Sequence, residues 1–265
     1  MATRWPACVN YSWGSMATAK DIHVAPISGK DAAALVRRVH YSGKVVPNSQ
    51  LHLGVFLDGR LEGAMQFGPS MDKRKVQGLV EGTGWNGFLE LNRMAFSDRL
   101  PRNSESRALG VAMRLIRKHY PHIEWIISFA DGTQCGDGTI YRASGFVLTA
   151  VRENKTILQL PDGTIVADKT LQNANHATTG KNAAWWKKNG AKPLDGFQLR
   201  YIYFLNPEAK ARLTVPILPF SKIADLGAGM YLGEKITRAK QAMDGDQPSQ
   251  RRRDTDPPAP IKAQP

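Results

Sequence analysis

Apolar and polar residues alternate over residues 21–27, which predicts a first strand. Ser28-Gly-Lys-Asp31 follows with a hydroxyl and, three positions on, a carboxylate, the pair that satisfies the first free amides of a helix. The helix carries Ala32, Leu35, Val36 and Val39 on one face. It ends near His40-Tyr41-Ser42-Gly43, where Gly43 supplies the left-handed stop. Residues 51–57 and 61–67, joined by Asp58-Gly59, predict a hairpin. A loop over residues 78–87, with Gly78, Gly82, Gly84 and Gly87, leads into a strand at 88–96. A helix from about 103 to 120 follows, with Leu109, Ala112, Met113 and Ile116 as its apolar stripe and Pro121 as its stop. Residues 124–130 form a short buried strand, 131–137 a loop, 138–144 a short helix, and Phe146-Val147-Leu148 begins another strand. A second hairpin is expected over 156–167, a strand over 198–205, an edge strand over 215–220 and a helix over 229–243. Strands and helices interleave around an early hairpin, so the class is α/β or α+β with a mixed sheet.

Composition narrows the partners. The 265 residues hold 36 Lys and Arg against 23 Asp and Glu, a net charge of +13. Residues 245–265 contain five of the 16 prolines and no aromatic residue, which predicts a disordered tail. Its Arg251-Arg252-Arg253 run and Lys262 are nearly balanced by Asp246, Asp254 and Asp256, so most of the excess charge lies on the folded body. A basic body favours a polyanion, nucleic acid before membrane. The most basic folded stretch, residues 170–212, contains Trp185-Trp186-Lys187-Lys188, a combination that can stack on bases and meet phosphates. Its plainer reading is one core tryptophan and a wet lysine face. The two cysteines, Cys8 and Cys135, cannot build a disulfide framework, which points to a reducing, cytoplasmic setting. Cys135 reads as an incidental thiol. The longest apolar runs fall far short of the ~20 residues of a membrane span, and the N-terminus lacks the pattern of a signal peptide.

Two short strings carry chemistry. Arg107-Ala-Leu-Gly110-Val-Ala112 opens a helix after a strand, where first-turn amides, the helix dipole and a glycine suit an anion. Tyr141-Arg-Ala-Ser-Gly145-Phe146 follows the strand at 124–130 at the distance of one short helix. In this order, the two strings resemble the GNAT acyltransferase fold: a mixed, mostly antiparallel central sheet flanked by helices, here with a C-terminal extension. That resemblance implies that Arg107, Gly110 and Ala112 hold a pyrophosphate and that Tyr141 protonates a leaving group.

A narrower resemblance extends over residues 20–222. His40-Tyr41, Glu90-Leu-Asn-Arg93, Ser128-Phe-Ala-Asp131, Tyr141 and the later Tyr201-Ile-Tyr-Phe-Leu resemble the Mom family of phage DNA-modification proteins. Membership implies a GNAT-superfamily transferase that converts adenine in double-stranded DNA to a carbamoylmethylated form at its exocyclic amine. The altered base protects phage DNA from host restriction. It implies catalytic roles for His40, Tyr41, Arg93, Asp131 and Tyr141, a small-molecule group donor (acyl-CoA or another phosphate-bearing molecule), and iron, with His40, Asp131 and Tyr141 as its candidate ligands. The domain plan is an N-terminal arm over 1–20, a modification domain over 21–222 with a basic extension from about 152, a helix within 223–244 and the tail. The oligomeric state is left open, a homodimer included.

The residues permit this chemistry. The adenine amine is a poor nucleophile because its lone pair is conjugated, so attack needs a base or a strongly activated electrophile. His40 and Asp131 are candidate bases. Arg93 shares a strand face with Leu91 and Ala95 by simple alternation and is expected to pair with Asp131 or with a substrate carbonyl. The same side chains could serve as iron ligands. Each also has a plain structural reading: a helix-end histidine, a turn aspartate, an ion-paired arginine, a core tyrosine. His52, His119, His122 and His176 lie outside the resemblance and read as structural or surface residues. A base inside duplex DNA must be extruded. Trp85 in the glycine-rich loop is a candidate wedge, Lys73, Arg74 and Lys75 a candidate phosphate clamp, and Trp186, Lys187 and Lys188 a second DNA contact. The rival readings are an acyl-CoA-dependent acetyltransferase acting on a protein or small amine, and a non-catalytic DNA-binding module.

Overall fold

The computed structural model describes residues 17–40, 42–132, 136–171, 180–228, 230–231 and 234–235. Tyr41, Cys135, His176 and the tail over 245–265 lie outside the described residues.

A seven-stranded mixed sheet is built from β1 (His23–Pro26), β2 (Leu51–Leu57), β3 (Arg60–Gly68), β4 (Phe88–Phe96), β5 (Trp125–Asp131), β6 (Val147–Glu153) and β10 (Phe197–Phe204). Their order across the sheet is β1-β2-β3-β4-β5-β10-β6. The first four pair antiparallel, whereas β4 and β5 run parallel. Helix α1 (Gly29–Val39) packs on β2, β3 and β4, and α3 (Ser104–His119) connects β4 to β5. This is the mixed, largely antiparallel, helix-flanked architecture expected of a GNAT-like fold. No helix among the described residues is long and apolar enough to cross a membrane.

The chain divides into two compact units. One comprises Met1–Phe129, Thr139–Thr149 and Arg200–Ile217; the other comprises Ala130–Gly138, Ala150–Leu199 and Leu218–Pro265. In the first, Ser28 Oγ accepts the Asp31 amide at 3.1 Å and donates to its carboxylate at 2.7 Å, which fixes the start of α1. Ala32 and Leu35 pack from α1 onto Ala64 of β3. The β2–β3 hairpin turns through Asp58 and Gly59 with φ of 49° and 73°, the left-handed pair that matches strand twist. Phe88 and Trp125 stack at 4.5 Å in a core that also holds Val76, Val80 and Ile202. The second unit contains a three-stranded sheet of β7 (Ile157–Gln159), β8 (Ile165–Ala167) and β9 (Lys192–Pro193), with helix α5 (Asp168–Leu171) and helix α6 (Ala183–Lys188).

Two sequence expectations change. Residues 215–220 form no strand; Leu213 makes an isolated bridge to Val80, and Pro216 and Pro219 deprive the segment of two amide donors. Where a helix is expected over 229–243, Met230–Tyr231 pairs antiparallel with Glu234–Lys235, and the remaining positions lie outside the described residues. The sequence between the paired residues includes Gly233, which weakens helices, and the stretch lacks a sustained apolar face.

Candidate active site

The site is built on the sheet face that α1 covers. The β3–β4 register fixes which β4 side chains share that face. Ala64 pairs with Ala95 and Gln66 with Arg93, but Phe67 then pairs with Leu91 and Gly68 with Glu90. Asn92 is thus the extra residue of a β-bulge. Simple alternation would place Arg93 with Leu91; the bulge turns Leu91 to the opposite face and brings Glu90 round beside Arg93. Gly68 makes the bulge possible: a Cβ there would lie 2.7 Å from Asn48 O and 2.8 Å from Asn92 Oδ1.

Arg93 is held by carbonyls. Its Nε donates to Lys44 O at 3.0 Å and its Nη1 to Asn92 O at 2.8 Å. Among the described residues the guanidinium makes no ion pair, so the protein carboxylate expected to pair with it is missing and its remaining donors are available to a substrate carbonyl. Glu90 accepts hydrogen bonds from Ser70, Asn92 and the Met71 amide. Burial nevertheless raises its carboxyl above the ordinary range, against the pull of those bonds and of Arg93. Asn92 Oδ1 accepts from Ser49 Oγ at 3.0 Å, which leaves its amide nitrogen to donate to Glu90. Beside Arg93 on the next strand, Gln66 is 1% exposed and bonds His52 Nδ1 at 3.2 Å, while its Oε1 has no partner among the described residues.

His40 caps the C-terminus of α1. The Ser42 amide donates to His40 Nδ1 at 3.1 Å, and Ser42 Oγ lies 2.9 Å from the same nitrogen. A backbone N–H can only donate, so Nδ1 is an acceptor and the neutral ring carries its proton on Nε2. Burial, and then the nearby Arg93 guanidinium, push His40 down to about 4. The ring is therefore neutral at physiological pH and presents an Nε2–H, which suits it to donate a hydrogen bond. Glu90, to which the sequence pattern assigns no role, is a further candidate proton acceptor on the same face. The sequence signals for it are its place in the Glu90-Leu-Asn-Arg93 string and its three-residue spacing from Arg93.

Other candidates are placed as follows. Tyr141, in α4 (Thr139–Ala143), packs against Tyr201 and Phe146 at ring-centroid distances of 5.2 and 5.3 Å. Gly145 ends that helix with φ of 82° and Phe146 enters the core, as the second string predicts. Asp131 is the last residue of β5 and belongs to the second unit, whereas His40, Arg93 and Tyr141 belong to the first. The β4–β5 ladder pairs only Phe88, Leu89 and Glu90 with Trp125, Ile126 and Ile127. Beyond it the two strands part, with Ser128 Oγ reaching Leu91 O at 3.4 Å.

Helix α3 starts at Ser104, so Gly110 and Ala112 lie well inside it. Their amides are spent on the helix, and Ala112 is fully buried. The first-turn amides that lack helical partners are those of Glu105 and Ser106. They border a cavity of about 390 Å³ that Arg102, Asn103 and Thr139 also line. At that turn, Ser104 Oγ is buried without a hydrogen-bond partner among the described residues. A Cβ on Gly110 would meet only Arg114 Nη1, at 3.8 Å, so helix–sheet packing does not demand a glycine there.

Among the DNA candidates, Lys73, Arg74 and Lys75 form the start of the short helix α2 (Lys73–Gln77). Lys75 pairs with Asp72 at 2.9 Å, whereas Arg74 makes no ion pair among the described residues. In the second unit Trp186 packs on Leu158, Val166, Leu171 and Ala183, while Trp185 is the exposed ring, with Lys181 5.1 Å from its centroid. Lys187 bonds Asp168 at 3.1 Å, and Lys188 is exposed.

Iron finds no evident seat. Among the described residues no three His, Cys, Asp or Glu side chains gather into a donor set, and His40 stands beside a guanidinium that opposes a cation.

Comparison with known proteins places the chain. It is 37% identical over 201 residues to the methylcarbamoylase Mom of Escherichia phage Mu, which covers 75% of this chain and 81% of that protein. Among solved structures it aligns with the ribosomal-protein-S18-alanine N-acetyltransferase of Escherichia coli at 10% identity and a TM-score of 0.40, covering 70% of this chain and 94% of that one. It also aligns with a Bacillus subtilis acetyltransferase in complex with CoA at 10% identity and a TM-score of 0.39, covering 69% and 97%. A sequence profile of the Mom protein family matches residues 21–222. The chain belongs to the Mom protein family.

Proposed function

We propose that this protein transfers a carbamoylmethyl group to the exocyclic amine of adenine in DNA, acting in the cytoplasm of an infected host to shield the DNA from restriction. The observation that carries the reading is its kinship with the phage Mu methylcarbamoylase, 37% identical over 201 residues. The co-facial Glu90 and Arg93, with a neutral His40 beside them, supply groups suited to the step.

A bond forms between the adenine amine and the donor's methylene carbon, one amine proton leaves, and the bond from that carbon to the leaving atom breaks. Glu90 accepts the proton; its raised affinity for protons suits it to a weakly acidic amine. Arg93 and the His40 Nε2–H donate to the developing charge on the carbonyl side of the transferred group. Tyr141 protonates the leaving atom, and the family pattern adds Asp131 and Tyr41 to the residues of the step. The donor would be a phosphate-bearing molecule that carries the carboxamide ready-made and has its leaving atom on the methylene carbon, because a thioester, whose sulfur leaves from the carbonyl carbon, would give an acetyl adduct instead. The residues that would hold its phosphates are Arg102 and Ser106 with the free first-turn amides of α3, which line the cavity there. Lys73 and Arg74 meet the DNA backbone, with Trp185 and Lys188 as a further contact.

Nucleoside mass spectrometry of DNA from cells expressing the protein tests the reading. Adenosine carrying one carbamoylmethyl group in place of hydrogen is expected, and its loss in Tyr141→Phe and Asp131→Ala. Unmodified adenine under full expression, or an acetyl adduct, refutes it.

A further inference from the structure

A cavity of about 670 Å³ opens in the first unit where β2 and β4 begin. Four rings line it, Trp85, Phe88, Tyr120 and His122, together with three polar side chains, Gln50, Lys73 and Asn86. Trp85 is 51% exposed and Tyr120 41%, which is unusual for large rings that gain by burial. The Lys73 ammonium lies 4.4 Å from the Trp85 ring centroid and 5.9 Å from that of Phe88, and donates to Asn86 Oδ1 at 3.1 Å. Partial burial lowers the Lys73 pKa, and no carboxylate among the described residues pairs with it. The cavity therefore combines flat, solvent-facing rings, an amide able to read a polar edge, and a partly desolvated cation without a counter-charge. Arg74 extends the positive surface on the same helix.

A base stacked on an aromatic ring with its phosphate on a cation asks for that combination. A lipid tail would leave Asn86 and Lys73 unsatisfied, and a cationic peptide would be repelled by Lys73. The cavity is also tied to the candidate active site by one short stretch of chain. Ser70 and Met71 hydrogen-bond Glu90, while Pro69 and Lys73, on either side of them, line the cavity. We propose that this cavity receives a base flanking the adenine under modification, stacked on Trp85 and Tyr120, with the adjoining phosphate on Lys73. The reading rests on DNA being the acceptor. By holding a neighbour, the cavity would stabilise the opened strand while the target is extruded.

The test uses full-length protein and labelled oligonucleotides, single-stranded and duplex, carrying 2-aminopurine at successive positions beside the modified adenine. Anisotropy reads affinity, and fluorescence quenching reads stacking. Trp85→Ala and Tyr120→Ala, both at exposed positions, are expected to weaken binding roughly ten- to a hundredfold without changing its salt slope. Quenching at one flanking position should vanish in Trp85→Ala and partly return in Trp85→Phe. If wild-type protein binds DNA but Trp85→Ala binds equally well and keeps the quenching, this inference falls and the proposed function stands. If Trp85→Ala instead raises the donor KM while sparing DNA affinity, the cavity belongs to the donor and the inference is overturned. If wild-type protein binds neither single strand nor duplex, DNA as acceptor falls, and this inference with it.

Discussion

Replacing His40 by asparagine separates two roles of the ring. The shorter amide can still accept the Ser42 N–H through its side-chain oxygen, but it cannot titrate. In the wild type, His40 sits near its ordinary 6.5 when unfolded and at about 4 when folded. Between those values the unfolded chain binds the extra proton, so stability from this group is fully present above 6.5 and drains away as pH falls toward 4. The gap corresponds to about 3 kcal/mol at ~1.4 kcal/mol per pKa unit, of which roughly 2 would be lost by pH 5. The ring is partly solvent-exposed, so screening reduces the expected loss at pH 5 to about 1 kcal/mol. In a chain of this size that is a melting shift of about 2–4 °C. The assay is thermal unfolding of wild type and His40→Asn at pH 7 and pH 5, beside an NMR titration of the histidine ring signals. The wild type should lose those extra degrees relative to the variant, and one ring should titrate near 4 with its proton on Nε2. Parallel melting curves, or a His40 midpoint at 6 or above, would refute both the neutral-donor assignment and its cause in burial beside Arg93.

Three further outcomes follow from the same geometry. Glu90→Gln should cut adenine modification about 10²- to 10⁴-fold with DNA affinity kept, as for loss of a general base; because Glu90's pKa is raised, its ionised form costs the fold, so the variant should also melt slightly higher at pH 8, and a lower melting point would contradict the burial argument. Arg102→Ala, at the cavity beside the first turn of α3, should raise the donor KM while changing thermal stability by less than about 0.5 kcal/mol; an unchanged KM would move the phosphate elsewhere. Changing Lys73, Arg74 and Lys75 together to alanine should flatten the log–log salt dependence of DNA binding by about 2, at roughly 0.9 per lost phosphate contact, since Lys75 is already engaged by Asp72; an unchanged slope would remove α2 from the interface.

The alternation of residues 51–67, the Ser28 cap and the stop at Gly145 were legible because each is a local preference that the fold obeys. What escaped the sequence depended on neighbours distant in the chain. Strand periodicity puts Arg93 with Leu91, and only pairing with β3 and the close approach at Gly68 reveal Asn92 as the extra residue. What favours a donor over a base at His40 is backbone shape rather than residue type: Ser42, two residues on, folds back onto the ring. Of two adjacent tryptophans, a helix as short as α6 gives no periodicity to say which is core, and the contacts choose Trp186. The anion-binding string misleads because helix α3 begins ahead of it, at Ser104, so its glycine falls where amides are already used.

The Glu-x-x-Arg spacing on β4 is a ruler for backbone shape. A straight ribbon would have to write the same acid and cation an even number of positions apart to present both to one substrate. Here the odd interval works because a single inserted asparagine changes parity. Deleting Asn92 would close the interval to two positions and keep both groups on one side, whereas straightening the ribbon with Asn92 retained would hand the carboxylate to the wrong side.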